Sequence, residues 1–385
     1  LEFRLIHTEK GGDARAALLK TDHGVVETPV FMPVGTQASV KTQSPRDLHE
    51  VQAQIILANT YHLYMRPGAE LLKRFGGIHN FMRWNGPVLT DSGGYQVYSL
   101  KELRRIDEEG VRFQSHLDGS YHTFTPGNVL ETQRKIGSDI MMVLDECPPA
   151  DAPFDYVAES SKLTTKWARE VRGLYGNSSP LHGYDQWLFA IVQGGVFEEL
   201  REQSARDLIE LDFPGYAIGG LAVGEPKKDM FRITQFCSSL LPENKPRYLM
   251  GVGTPVDLLE SISRGVDMFD CVMPTRNARN GTVFGRNGKL VIKGARFKED
   301  ERPIDDGCSC YCCKNFSRAY IRHLLNANEV FGIWLTTHHN LHFYLELMRT
   351  AREHILQNNF ENWKKEMVRK MEPENKKENE LKELQ

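Results

Sequence analysis

Eight short apolar runs, each ending in a polar or glycine-rich turn, recur along this 385-residue chain. They are Val30–Met32, Ile55–Leu57, Val88–Thr90, Ile140–Leu144, Leu188–Val192, Tyr216–Ile218, Tyr248–Met250 and Met268–Phe269. Such runs suit strands buried on both faces, the setting of a parallel sheet. Helical signals lie between most of them. Ser44-Pro45, Thr125-Pro126 and Thr254-Pro255 each put a hydroxyl at the N-cap and proline at the first helical position. The helix opened by Thr254 carries Leu258, Leu259 and Ile262 at helical spacing and stops at Gly265. Eight strands alternating with helices predict an α/β fold, a (β/α)8 TIM barrel. An open doubly wound sheet would be favoured by a G-x-G-x-x-G turn after a first strand, and the chain has none.

Three segments fall outside the repeat. Residues 1–27 alternate apolar positions with glycine-rich turns and predict an antiparallel cover at the barrel's N-terminal face. Asp118-Gly119, between two strand-like runs, predicts a hairpin over 111–124. Residues 295–345 hold a cysteine cluster and follow the eighth strand. The expected organisation is a barrel with its β cover over 1–294, an inserted metal-binding subdomain over 295–345, and a closing helix over 346–361. A tail dense in Lys, Glu and Asn over 362–385 should be frayed helix or disordered.

Composition excludes several classes. No apolar stretch approaches the ~18–20 residues of a membrane span. The opening residues Leu1–Arg4 lack the basic start and apolar run of a retained signal peptide. The formal net charge is −3, so nucleic-acid binding would need a local basic patch. Of seven cysteines, four (Cys308, Cys310, Cys312, Cys313) sit within six residues. That is a poor disulfide framework and a plausible thiolate metal site, as expected of a reduced cytoplasmic protein. Cys308-x-Cys310-x-x-Cys313 offers three thiolates from one tight loop, with Cys312 able to replace Cys310 or Cys313 on spacing alone. A fourth ligand could come from His323, His338, His339 or His342.

Residues just past the barrel strands line the mouth where active sites sit. Here they are Gly35-Thr36, Asn59-Thr60, Asp91-Ser92-Gly93-Gly94, Asp145-Glu146-Cys147, Gln193-Gly194-Gly195, Gly219-Gly220, Gly251-Val252-Gly253 and Asp270. Singly, each aspartate reads as a turn or N-cap residue. Three on one rim suggest glycosyl chemistry, in which one carboxylate attacks an anomeric carbon and another handles protons. After Asp270 no acidic residue appears until Glu299, while Arg276, Arg279, Arg286, Lys289, Lys293, Arg296 and Lys298 intervene. Beside a candidate nucleophile, this basic stretch suits phosphate contact.

Five segments together resemble the tRNA-guanine transglycosylase family. They are Asn59-Thr60-Tyr61-His62, Thr90–Val97, Gly219–Glu225, Phe269–Arg276 and the cysteine cluster. The resemblance runs from about Phe3 to about Phe360. It implies an irregular TIM barrel with an inserted zinc subdomain, and exchange of the guanine at the anticodon wobble position of tRNA. By that resemblance Asp270 is the nucleophile at C1′ of the ribose and Asp91 the general acid and base. Asp145 would read the N1–H and N2–H₂ edge of guanine, Gln193 and the Gly220 N–H would serve O6 and N7, and Tyr95 and Met250 would wall the ring. Without it, Tyr95 and Met250 read as ordinary packing. The Leu221-Ala222 turn would face the replacing base's side group, and Arg276 and Arg279 would hold the anticodon loop. The family's Thr-x-His-Asn pattern falls on Thr337–Asn340, which selects His339 with Cys308, Cys310 and Cys313 as ligands of one structural Zn2+ and leaves Cys312 free.

Cys147 and Val223 resemble members that insert 7-aminomethyl-7-deazaguanine (preQ1), where queuine users have a smaller glycine at the position of Val223. The resemblance further implies a homodimer. It implies tRNA substrates with guanine at the wobble position, those accepting Asp, Asn, His and Tyr, and no membrane association. A glycoside hydrolase using Asp91 and Asp270 would leave the cysteine cluster and basic stretch without purpose. A non-catalytic RNA-binding subunit would not need both aspartates. A zinc hydrolase would need an open coordination position.

Overall fold

The computed structural model of the chain describes residues 2–99 and 104–372. Strands β1 (Glu2–Thr8), β2 (Arg15–Thr21) and β3 (Gly24–Thr28) form an antiparallel sheet. The barrel begins with β4 (Val30–Met32), β5 (Ile56–Ala58) and β6 (Val88–Thr90). A second antiparallel sheet follows, of β7 (Arg104–Ile106), β8 (Val111–Gln114) and β9 (Tyr121–Phe124). The barrel continues with β10 (Ile140–Met142), β11 (Trp187–Val192), β12 (Tyr216–Ile218), β13 (Arg247–Leu249) and β14 (Met268–Asp270). A hairpin of β15 (Thr282–Gly285) and β16 (Gly288–Val291) comes last.

The eight barrel strands lie in the order β4-β14-β13-β12-β11-β10-β6-β5, paired in parallel. The Leu57 amide donates to Pro33 O (3.0 Å) and the Gly35 amide to Leu57 O (2.6 Å), which joins β5 to the residues after β4 and closes the ring. All eight predicted runs are barrel strands. Their side chains are almost wholly buried, because helices cover the outside and side chains fill the inside. The three predicted caps form as well. Ser44 Oγ accepts from the Asp47 amide while Asp47 reaches back to the Ser44 amide (2.7 Å), Thr125 and Asn128 repeat the arrangement, and Thr254 caps Asp257.

The N-terminal sheet covers the floor of the barrel, the end where strands begin. Arg15 in β2 grips Asp267, the residue before β14, through Nε (2.9 Å) and Nη2 (2.5 Å). The predicted 111–124 hairpin is present, and β7 adds a third strand to it.

The C-terminal third differs from the expected boundaries. Val283 and Ile292, from the β15–β16 hairpin, share one apolar core with Phe297, Ile304, Cys308, Cys310, Cys312, Ile321 and Leu335. The lobe therefore starts near residue 282 and not at 295. One helix, Val330–Leu356, runs through the expected boundary at 345. Its first turns pack on the lobe and its later turns (Leu341, Tyr344, Leu347, Met348) in the barrel core, so nothing interrupts it. A further helix, Phe360–Met371, occupies the start of the expected charged tail, with Phe360, Met367 and Met371 buried among its Lys and Glu. Residues 373–385 of that tail lie outside the described residues. No helix among the described residues is long and apolar enough to cross a membrane.

Candidate active site

The three aspartates meet at the mouth opposite the floor. Asp91 follows β6, Asp145 lies three residues past β10, and Asp270 ends β14. Every neighbour of the Asp91 carboxylate donates to it: Asn59 Nδ2 (2.5 Å), the Thr60 amide (2.8 Å) and Gln96 Nε2 (2.7 Å). Burial still dominates and, helped by the negative charge of Asp270, pushes its pKa up to about 6. Asp270 receives the Tyr248 hydroxyl (2.6 Å) and the Gly251 amide (2.9 Å), both on Oδ1. Burial raises this carboxyl too, against those two donors. The site thus holds two carboxyls with different donors, one poised to exchange a proton near neutrality.

Asp145 forms the centre of a polar cradle. Its Oδ1 accepts from Ser92 Oγ (2.7 Å) and its Oδ2 from Gln193 Nε2 (2.8 Å). Burial, with the Glu146 charge adding, raises its carboxyl above the ordinary value. Each oxygen keeps a further lone pair, so the carboxylate can take two more donors side by side. Gln193 is buried directly after β11, and its Oε1 has no protein partner. Gly219 and Gly220 pack against it. A Cβ on Gly220 would lie 2.4 Å from Gln193 Oε1, and its φ of +66° also favours glycine. The turn that follows is held by Glu225, which accepts from the Ala222 (2.5 Å) and Val223 (3.0 Å) amides, with Leu221 buried behind it. Met250 is half-buried after β13, and Tyr95 is 55% exposed on the helix Gly94–Ser99.

The structure therefore brings Asp91, Asp145, Asp270, Gln193 and Gly220 to one rim. It also recruits residues whose part the sequence leaves unread. Tyr248 holds Asp270 but looks like a core residue inside an apolar run. Ser92 orients Asp145, and Asn59 orients Asp91. Arg201 is wholly buried beneath the turn after β11, donating to Val192 O and Gly195 O (both 2.8 Å). The only sequence signal for Tyr248 is a hydroxyl-bearing ring within a barrel strand.

Asp270 leads directly into the helix Met273–Arg279, which carries exposed Arg276 and half-buried Arg279. Lys289, Lys293, Arg296 and Lys298 are exposed along the hairpin and the turn after it. This puts a basic surface next to the carboxylates.

In the lobe, Cys308, Cys310, Cys313 and His339 converge. His339 Nδ1 lies 3.8, 3.5 and 3.3 Å from the three sulfurs in that order. Tetrahedral bonds of ordinary metal–S and metal–N length place such atoms about 3.6 Å apart, so the four fit one ion. His339 Nε2 meets Phe284 O at 2.7 Å, which fixes the proton on Nε2 and aims the Nδ1 lone pair at the sulfurs. His338 instead meets Gln43 (3.1 Å), His342 approaches only Cys308 (3.7 Å), and His323 is exposed. Cys312 is buried in the lobe core, outside the set.

Comparisons with known proteins agree with this architecture. The family model described as Queuine tRNA-ribosyltransferase matches residues 10–373. The chain is 54% identical over 370 residues to a Queuine tRNA-ribosyltransferase of Thermoanaerobacter sp. (strain X514), covering 96% of this chain and 97% of that one. It is 54% identical over 364 residues to one of Staphylococcus aureus (strain JH9), covering 94% and 95%. A third, of Pelotomaculum thermopropionicum, is 52% identical over 96% of this chain and 98% of its own. A barrel with this carboxylate mouth, matched over nearly its whole length, belongs to the queuine tRNA-ribosyltransferase family of tRNA-guanine transglycosylases.

Proposed function

We propose that this chain exchanges the wobble guanine of tRNA for preQ1 by double displacement, as a step in queuosine biosynthesis. The observation that carries the reading is the pairing of Asp270 with Asp91, whose pKa is pushed up to about 6, beside the Asp145–Gln193 cradle. Asp270 attacks C1′, the guanine leaves, and the tRNA is held as a glycosyl ester. The incoming base then displaces Asp270 from the same face, so configuration is retained. The donors on Asp270 sit on Oδ1, which leaves Oδ2 to form the bond. At pH 7 about a tenth of a carboxyl with this pKa is protonated, enough for Asp91 to deliver a proton to the departing guanine and to take one from the incoming base.

The free lone pairs of Asp145 accept N1–H and N2–H₂ of the base. Adenine lacks that donor pair and would leave a buried carboxylate unpaired, a large penalty. The second N–H of the Gln193 amide and the Gly220 amide face O6 and N7. Tyr95, exposed without the base, closes one side of the ring and Met250 the other. Val223, in the turn held by Glu225, narrows the space that queuine would need and favours preQ1. Reaching C1′ requires the nucleotide to be splayed from its stack, with Arg276 and Arg279 holding the loop. The tRNAs are those that accept Asp, Asn, His and Tyr.

Three thiolates and one imidazole suit Zn2+ in a closed, structural site. The lobe also presents Tyr311, Tyr320, Val330 and Phe331 as exposed apolar side chains, which supports a homodimer formed there. A cytoplasmic setting fits both the tRNA substrate and the unpaired cysteines.

The test is incorporation of radiolabelled guanine into an unmodified tRNA-Tyr transcript by wild type and by Asp270→Asn. Wild type should exchange the base and the variant should lose at least about a thousandfold in rate, the scale of losing a covalent nucleophile. Exchange by the variant at the wild-type rate would overturn the assignment of Asp270. Queuine competing as well as preQ1 would overturn the choice of base.

A further inference from the structure

At the floor of the barrel, on the face away from the aspartates, His23, His79 and Asp139 bring three ligand atoms within 4.8 Å of one another. His23 lies in the turn between β2 and β3, His79 in the short helix Ile78–Met82, and Asp139 directly before β10. Asp139 is fully buried. Its Oδ1 meets His23 Nδ1 at 2.7 Å, and its Oδ2 accepts from the Val88 amide at 2.8 Å. The two imidazole rings stack with centroids 3.6 Å apart.

His79 supplies the decisive observation. It is 7% exposed, and its Nδ1 faces Trp84 O at 3.2 Å. A carbonyl only accepts, so Nδ1 carries the proton and the Nε2 of the neutral ring presents a lone pair. That Nε2 is buried without a hydrogen-bond partner and points at the Asp139 carboxylate, with Oδ2 3.1 Å away. Two electron-rich atoms face each other in a dry pocket. A backbone carbonyl that fixes the far nitrogen of a histidine is the arrangement by which metal-ligating imidazoles are oriented.

We propose that His23 Nδ1, His79 Nε2 and the Asp139 carboxylate form a second, structural site for a divalent transition-metal ion. Two imidazoles and one carboxylate suit Zn2+ or Ni2+ and disfavour Mg2+ or Ca2+. Ligand atoms around such an ion stand about 3.3 Å apart. His79 Nε2 and Asp139 already do. His23 must withdraw by about half an ångström, which its place in a partly exposed turn allows, and a water completes the coordination. The ion would tie the N-terminal sheet to two segments of the barrel floor that lie far from it in sequence, in the manner of a cross-link.

Protein carrying one zinc in its thiolate site is titrated with Ni2+, and bound metal is counted by elemental analysis while Tm is followed. Wild type should take up one further equivalent, with Tm rising by roughly 3–5 °C at a hundredfold excess over Kd. His23→Ala and His79→Gln should each lose that equivalent and the Tm response. His182→Ala, an adjacent histidine outside the set, should keep both. Base exchange should be equal in all of them. The proposal is overturned if wild type binds no second equivalent, as it would if a proton alone bridges His79 and Asp139. It is also overturned if the equivalent survives in His23→Ala, the variant that leaves the buried ring in place.

Discussion

Asp91 shows how a catalytic carboxyl is set up against the stability of the fold. Unfolded, it titrates near 3.8, and folded, near 6. The folded state holds the proton more tightly, so this group contributes stability that is fully present below about pH 4 and is lost as pH rises through 6. Above that range the buried carboxylate costs on the order of 3 kcal/mol relative to its protonated form. Asp91→Asn removes the titration, and the amides of Asn59 and Gln96 can rotate to present oxygen to the new amide. We expect the variant to lose exchange activity and to gain stability over wild type, with the gap opening between pH 4 and 6 and levelling off above 7. Urea melts of both proteins at pH 4.5, 6 and 7.5 measure it, and a gap that does not widen with pH would remove burial as the cause. The aspartates themselves are legible in the sequence, because a carboxylate just past a buried strand has one natural destination in a barrel. Tyr248 is not, because at 1% exposure it satisfies the same apolar pattern as its neighbours, and only the folded ring shows where its hydroxyl points.

The barrel strands are short, and each is read from three to six residues that are apolar throughout. That pattern survives because both faces are buried. It fails at β7, where Arg104-Arg105-Ile106 offers one apolar residue and pairing with β8 decides the strand. It fails again in the helix Val330–Leu356, which buries one part of its length in the lobe and another in the barrel, so that no amphipathic break marks the junction. The turn after β12 is a case where element geometry sets specificity. Gly220 lets the backbone lie against Gln193, and Gly220→Ala would drive a Cβ to 2.4 Å from Oε1 in a left-handed conformation. The amide must then move away from the base while the carboxylate pair is untouched. The expected result is a rise of at least about tenfold in KM for the base, the scale of a lost hydrogen bond, with KM for tRNA changed by less than about twofold. Steady-state kinetics with each substrate varied separately decide the matter, and equal rises in both constants would mean that the turn's collapse spreads through the mouth.

At the scale of the whole molecule, the lobe and the active site share one helix. His339 lies within Val330–Leu356, and the side chains beside it reach toward the barrel. Asn340 Nδ2 donates to Pro274 O (2.9 Å) and Thr282 O (3.1 Å), while its Oδ1 accepts from the Phe284 amide (3.0 Å). Thr336 Oγ1 donates to Ala278 O (3.1 Å), and Tyr344 donates to Gly253 O (2.6 Å). Pro274 and Ala278 belong to the helix that carries Arg276 and Arg279, so the metal cluster is linked to the basic surface through two layers of packed backbone. The carboxylates have separate supports in β6, β10 and β14, which the barrel holds without the lobe. Loss of the metal leaves three thiolates and an imidazole unpaired in the small lobe core, whose apolar contacts alone are too few to hold it. Chelation, or His339→Ala, should therefore raise KM for tRNA by at least about tenfold, since phosphate contacts act together in positioning the loop. Binding of the free base should change by less than about twofold. Isothermal titration with guanine beside a tRNA gel shift, before and after chelation, separates the two. If base binding falls with tRNA binding, the lobe supports the whole barrel. If neither falls, the helix does not transmit the state of the metal cluster to Arg276 and Arg279.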